Sequence, residues 1–392
     1  YPLDATTLFA DVHNVRPGSV EVWELIDGKP RMTSSSRFEI QKVLPTSDWN
    51  DPEGLLDSFT LSVSDRLMAD VPVGIVLSGG LDSSLVCAVA RQAAEIAEQD
   101  VPECWTVAES EDNPDWQAAE LVASSLDLKH HQHILEPDSF HSKLPDLAWH
   151  GEDLDVTVLF FQPLFAKMAE SVTVGLCGQG ADELHAGYPR YRDLEGHSKL
   201  IRSRLSDMDC SLTNLQGDSW WSDDLTPEAH TKSLEDFLQF ELEHGQLSNF
   251  QLRLVDRHSM AHSLEVRVPF LGSRHREDSN KLPMDWRLPP SHDEKAALRS
   301  AAELTNLPTE IVRRPKMPAG RATSPRMIDS VLDELNYFVE PIANRYPRLK
   351  RALIKQPEIA IGLGLFESMH ILDGGISKRS GDLTSLLEEV VS

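Results

Sequence analysis

The chain has 392 residues, 40% hydrophobic and 26% charged, a globular composition with room for more than one core and no bias toward disorder. Asp and Glu number 63 against 37 Lys and Arg, and the resulting formal charge of −26 repels phosphate backbones, which argues against a nucleic-acid partner. No stretch reads as a membrane span, and no charged-then-apolar leader opens the chain, so no membrane role is expected.

The acidity fits either a protein working in concentrated salt, where screening removes self-repulsion, or an ordinary solvated acidic surface. Four cysteines (Cys87, Cys104, Cys177 and Cys210) are widely spaced with no CxxC pair, which matches neither a disulfide framework nor a zinc site. The first three lie in or beside apolar runs and are expected to be buried thiols of a cytoplasmic protein.

Residues 1–50 read as short strands and turns, with Phe9–Val15 and Val20–Leu25 pairing across Arg16-Pro17-Gly18. The chain opens on Tyr1 rather than Met, which leads us to expect that something upstream was removed. From Pro52 onward, Leu55, Leu56, Phe59, Val63 and Leu67 fall at helical spacing. A strand is predicted within Val71–Leu77, then a Gly/Ser loop, then a helix from Leu85 to about Glu98. Further strands are predicted around Cys104–Val107, Gln132–Leu135 and Val172–Leu176, with helices around Trp116–Val122 and Leu159–Met168. Strands alternating with helices predict an α/β fold, a parallel twisted sheet flanked by helices. After Leu184 the pattern turns helical, with a polar loop at Gly217–Asp224 and helix over 235–265.

The loop Ser78–Ser84, SGGLDSS, joins a predicted strand to a predicted helix. In that geometry backbone N–H groups and the helix N-terminus face an anion. Gly79 and Gly80 let the backbone approach closely, and Ser78, Ser83 and Ser84 offer hydroxyls. Asp82 beside a phosphate is unfavourable unless a cation intervenes, which points to Mg²⁺. The Lys of a GxxxxGK[ST] loop is missing, and the order of residues does not match GxSxG. Without more, a capped structural turn would serve as well.

SGGLDSS resembles the pyrophosphate loop of the PP-loop ATP pyrophosphatases (the adenine-nucleotide α-hydrolase-like group). That resemblance implies cleavage of ATP between the α and β phosphates and an adenylated intermediate. LCGQGADELHAGYPRY, Leu176–Tyr191, resembles the GEGxDE…GGY motif of asparagine synthetases, with Gln179 in place of a glutamate and His185-Ala186 in place of an aromatic and a glycine. Gln keeps hydrogen bonding but cannot act as a base. DRHSMAHSLEVRVPFL, Asp256–Leu271, resembles DRMSMAHxLExRVPFLD, with Gly272 for the final Asp; its spacing is helical up to Pro269, and Glu265 and Arg267 are expected to face the site. EKAALR (Glu294–Arg299) and LPTEIVRRPK (Leu307–Lys316) resemble the family's C-terminal lysine segments.

The resemblance spans about Leu55 to Lys316 and implies an ATP-dependent ligase. It would convert aspartate to asparagine through β-aspartyl-AMP, releasing AMP and pyrophosphate. Lys316, Lys295, Gln179, Glu183 and Glu265 are the implied catalytic set. Leu77, Ser78, Gly79, Gly80, Asp82, Ser83, Ser84, Val107, Cys177 and Gly178 are implied to bind ATP and pyrophosphate, with Asp82 and Asp182 on Mg²⁺. GEDLDVT, Gly151–Thr157, resembles a segment near the amino-acid substrate, so Glu152, Asp155, Asp182 and Arg267 are its implied contacts. Residues 1–50 resemble the tail and linker of an N-terminal glutaminase-type domain. Residues 51–340 would form the synthetase domain and 341–392 a helical extension. No cysteine stands near the start to act as a glutaminase nucleophile. Ammonia would then come from a removed domain, a separate subunit or solution, and a homodimer is compatible with the resemblance. Two rivals remain open from the residues: a relative acting on another acid, as β-lactam synthetase-like members do, and a non-catalytic nucleotide-binding homologue.

Overall fold

The computed structural model describes residues 7–38, 45–159, 161–207, 233–243, 245–290, 293–316 and 325–392. The expected loop at Gly217–Asp224 and Cys210 lie outside them. Two sheets form. The first is a hairpin of β1 (Ser19–Ile26) and β2 (Lys29–Arg37). The second is a parallel five-stranded sheet in the order β5-β4-β3-β6-β7. Its strands are β3 (Val73–Val76), β4 (Glu103–Ala108), β5 (His130–Ile134), β6 (Val174–Leu176) and β7 (Glu265–Arg267).

Alternation along the strands builds a core on each face of this sheet. Ile75, Leu77, Cys104 and Leu176 point one way, into α1 (Pro52–Leu67), α2 (Leu81–Ala97) and α3 (Pro114–Ser125). Trp105, Val107 and Cys177 point the other way, into α4 (Pro137–Gly151) and α5 (Phe161–Ala169). The C-terminal helices Pro325–Arg345, Pro357–Phe366 and Leu383–Val391 contribute Leu335, Ile361, Leu365 and Leu387 to that second core. They pack into the same core as the sheet residues.

The chain enters at β3, builds outward through β4 and β5, then returns to β6 on the other side of β3. The reversal opens a crevice at the carboxyl ends of β3 and β6, the place where open parallel sheets bind ligands. Further along lie α6 (Ala181–His185), α7 (Leu194–Ser206), α8 (Leu234–Glu243), α9 (Leu252–Met260), α10 (Ser273–Asn280), α11 (Met284–Arg287), α12 (Ala296–Ala302) and α13 (Thr309–Val312). No described helix is long and apolar enough to cross a membrane.

Three expectations change. Val20–Leu25 is a strand, but its partner is β2 rather than Phe9–Val15. Asp27 and Gly28, both at positive φ, make the two-residue turn that sets this pairing. Phe9 instead packs on the C-terminal helices, its ring 5.4 Å from that of Phe366. Helical spacing also does not run to Pro269: α9 ends at Met260, Ser263 turns at φ 58°, and Glu265–Arg267 become the edge strand β7. Finally, α2 starts at Leu81, four residues before Leu85, because its first turn is the polar loop itself.

Cys87, Cys104 and Cys177 are buried and unbridged. Burial pushes the Cys177 thiol up to about 11.

Candidate active site

Gly80 caps α2, and the first amide to reach back into the helix is that of Ser84, which donates to the Gly80 carbonyl at 3.0 Å. The amides of Leu81, Asp82 and Ser83 precede that ladder and are left for other acceptors. Ser83 organises the loop: its Oγ donates to the Gly80 carbonyl at 3.2 Å and accepts from the Ser78 amide at 3.1 Å. The Ser78 and Ser83 hydroxyls lie 3.0 Å apart at the mouth. This is a preformed cradle for an anion.

Four charges meet above the cradle. Lys295 Nζ lies 2.5 Å from Asp82 Oδ1 and 2.6 Å from Asp182 Oδ1. Lys316 Nζ lies 2.7 Å from Asp182 Oδ2 and 3.6 Å from Asp82 Oδ2. Asp82 arrives after β3, Asp182 after β6, and the lysines from the segments flanking α12 and α13. Lys295 sits at a left-handed φ of 59°, immediately before α12. Gly187 makes room for it, since a Cβ there would stand 2.0 Å from Lys295 Cε and 2.1 Å from Asp182 Oδ1.

Burial alone would raise the Asp182 pKa, but Lys295 and then Lys316 hold it well below the usual carboxylate range. Burial would likewise lower Lys316, but Asp182 and then Asp82 push it up. Asp182 and Lys316 are therefore charged throughout the physiological range. Two hard carboxylates converging from two strand ends suit Mg²⁺. No group of three or more His, Cys, Asp or Glu that could cage a metal occurs among the described residues. Mg²⁺ commonly needs only one or two carboxylates when phosphate oxygens complete its shell. Here the two ammonium groups occupy the position a cation would take.

The cavity around this group is lined on its polar side by Ser78, Gly80, Asp82, Ser83, Gln179 and Asp182. Two further ion pairs border it, Arg314–Asp115 at 2.8 Å and Arg299–Glu294 at 2.6 Å. Burial pushes the Asp115 pKa up, against the pull of Arg314. The opposite wall is apolar, formed by Phe161, Leu164 and Phe165 of α5 and Val255 of α9. Leu77, Val107, Cys177 and Gly178 lie along the strand ends between the two walls.

Some expected site residues lie elsewhere. Gly79, at φ 69°, turns the loop without lining the cavity, and Ser84 is buried behind it with its Oγ unpartnered. Glu183 is fully buried, and neither carboxylate oxygen has a hydrogen-bond partner. Burial first, then the charge of Asp182, push its pKa up to about 8. Arg267 points away from the cavity and donates to the carbonyls of Arg66 and Met68 at 2.8 and 2.9 Å, closing the C-terminal end of α1. Glu265 pairs with Arg267 at 2.8 Å on the sheet edge. Glu152 pairs with Arg257 at 3.0 Å, and Asp155 caps its own turn by accepting from the Thr157 amide at 2.9 Å.

Conversely, Asp115, Glu294, Arg299 and Arg314 border the cavity without having been singled out from the sequence. Glu294, Arg299 and Arg314 each stand inside a motif that was recognised, EKAALR or LPTEIVRRPK, whereas Asp115 stands at the start of α3, outside them. For the first three, position in those motifs was the available signal.

Comparison with known proteins agrees with this arrangement. Residues 54–360 match the family model described as asparagine synthase. An asparagine synthetase (glutamine-hydrolyzing) of Mus musculus is 28% identical over 335 residues, 80% of this chain and 53% of the relative. That of Gallus gallus is 28% identical over 376 residues, 88% and 60%, and that of Bos taurus 30% identical over 266 residues, 66% and 41%. The chain thus spans about half the length of these curated relatives. With the match covering most of the chain, this protein belongs to the asparagine synthase family.

Proposed function

We propose that this chain is an ATP-dependent amide-forming ligase that activates a carboxylate as an acyl adenylate and passes it to an amine. The relatives' printed name, asparagine synthetase (glutamine-hydrolyzing), supports asparagine as the product; aspartate would then be the acid and ammonia the amine, with AMP and pyrophosphate released. The observation that carries the reading is the cluster of Asp82, Asp182, Lys295 and Lys316 over the anion cradle.

The chemistry follows from that cluster. A carboxylate does not accept an amine directly, because oxide is a poor leaving group. Attack of the acid oxygen on the α-phosphorus breaks the α–β bridge, and negative charge builds on the departing pyrophosphate. Lys316 and Lys295, released from the two carboxylates when the nucleotide enters, take up that charge, as do the amides at the start of α2. Asp82 and Asp182, freed of their ammonium partners, are the residues that would hold Mg²⁺, which when bound neutralises the phosphates. Leu77, Val107 and Gly178 would border the nucleoside. Cys177, Ser78 and Gly80 would complete the phosphate side.

Gln179 lies on the cavity wall as a hydrogen-bonding group and cannot take a proton from the attacking amine. The engagement of Glu152 by Arg257 favours a second reading, the same chemistry on a different carboxylic acid, since this carboxylate is not free for an α-ammonium group. One assay separates the two. Chain, ATP, Mg²⁺, aspartate and ammonium should yield asparagine in step with AMP. Adenylate formation only with other acids would select the second reading.

A further inference from the structure

We propose that Arg299 is a positioning residue that sets the two lysines against the carboxylates. Arg299 is 2% exposed and is among the largest fully buried side chains of the chain. A guanidinium taken out of water must find acceptors for its five N–H groups or lose its hydration uncompensated. Arg299 makes five such contacts. Nε donates to the Glu294 carbonyl at 2.7 Å, and Nη2 to Glu294 Oε1 at 2.6 Å. Nη1 donates to the Val312 carbonyl. Both Nη1 and Nη2 reach the Arg314 carbonyl at 3.2 Å.

The acceptors belong to two separate stretches of backbone. Glu294 immediately precedes Lys295, where the chain takes its left-handed turn into α12. Val312 ends α13, and Arg314 stands two residues before Lys316. Carbonyls at a helix end have no partner within the helix, so they are available to a side chain. One planar group therefore fixes the spacing between the Lys295 segment and the Lys316 segment. A lysine at this position could not do the same, because a single ammonium does not span a carboxylate and three carbonyls. Arg299 spends its donors on the protein, so its effect passes through Lys295 and Lys316. The catalytic part of this inference rests on the function proposed above, whereas the positioning part does not.

The test is a double-mutant cycle of Arg299→Lys with Lys316→Ala, read by pyrophosphate release and by hydrogen exchange. A displacement of about 1 Å in a reacting group costs on the order of 100-fold. Arg299→Lys is therefore expected to lower kcat by about 10-fold or more, with KM for ATP changed by less than about 3-fold, because the lysines meet charge that develops only as pyrophosphate leaves. On the Lys316→Ala background the same substitution should cost clearly less than in the wild-type chain, since only Lys295 is left to displace. Exchange should speed up at residues 294–297 and 312–316 and nowhere else. Multiplicative losses, an unchanged kcat, or exchange raised evenly over the chain would overturn the proposal. If Arg299→Lys does not fold, Glu294→Ala removes the single side-chain contact and runs the same cycle. If the wild-type chain releases no pyrophosphate from ATP, the proposed function fails, and the local exchange result still decides the positioning role.

Discussion

The two sides of α6 carry their ionisable groups in opposite ways. On the cavity side Asp182 faces Lys295 and Lys316 and stays charged. Behind it, Glu183 faces burial without a cation at hydrogen-bonding distance, and at a pKa of about 8 it is protonated at neutral pH. The same holds for the histidine pair alongside: His185 Nε2 and His275 Nε2 lie 3.2 Å apart, fully buried among Phe59 and Phe270. Burial brings His275 down to about 3, and burial together with His275 itself keeps His185 well below its ordinary value. Among these groups, charge survives only where a counter-charge meets it at contact distance. Elsewhere the group gives up its charge. Adjacent residues of one short helix thus serve different ends, one facing the cavity and the other filling the layer beneath it.

The comparison can be broken first at the charged side. Lys316→Ala removes one of the two ammonium groups paired with Asp182 and should cut pyrophosphate release by about 100-fold or more, the scale of losing one preorganised charge at a leaving group. The fold should survive, as checked by circular dichroism. A loss under about 10-fold would mean that the cluster is only an internal salt bridge.

Glu183→Gln probes the neutral side. Its folded pKa lies above its ordinary value of 4.5, so the folded state holds a proton that the unfolded chain releases, and stability falls as pH rises from 4.5 to about 8. Replacing it with the neutral isostere should raise Tm at pH 8.5 by at least about 2 °C and leave it unchanged at pH 4.5. An unchanged Tm at pH 8.5 would mean that Glu183 is ionised and partnered.

His275 has the opposite sign. Its folded pKa lies below its ordinary 6.5, so its contribution is full above 6.5 and is lost as pH falls toward 3. The slope of Tm against pH between 6.5 and 4 should therefore be shallower in His275→Asn. An equal slope would assign the acid sensitivity to other groups, such as His258, which burial also brings to about 3.

The smallest effect is expected from Glu152→Gln, which breaks a partly exposed pair with Arg257 worth at most about 1 kcal/mol. Its KM for the acid substrate should stay within about 2-fold of wild type. A rise of 10-fold or more would place Glu152 at the acid after all.

The same contrast explains how much was legible beforehand. Strand–loop–helix order could be read because period-2 and period-3.6 patterns are local. Asp82, Asp182, Lys295 and Lys316 were reached through their motifs, and the structure brings all four together. The direction of a side chain is not local. Glu265 and Arg267 were read as site-facing on an assumed helix, but a three-residue edge strand turns Arg267 toward the end of α1. Glu183 could not be told from Asp182 in sequence, because its burial depends on packing from α8 and the tyrosines Tyr188 and Tyr191. Arg299 was not singled out, because its role depends on two stretches of backbone, distant in sequence, that close around it.

The central claim is that the cluster over the loop handles pyrophosphate. The direct measurement is ³¹P NMR of the nucleotide products formed by the wild-type chain with ATP, Mg²⁺, ammonium and the acid it accepts. AMP and pyrophosphate should appear in equal amounts. ADP and inorganic phosphate would contradict it.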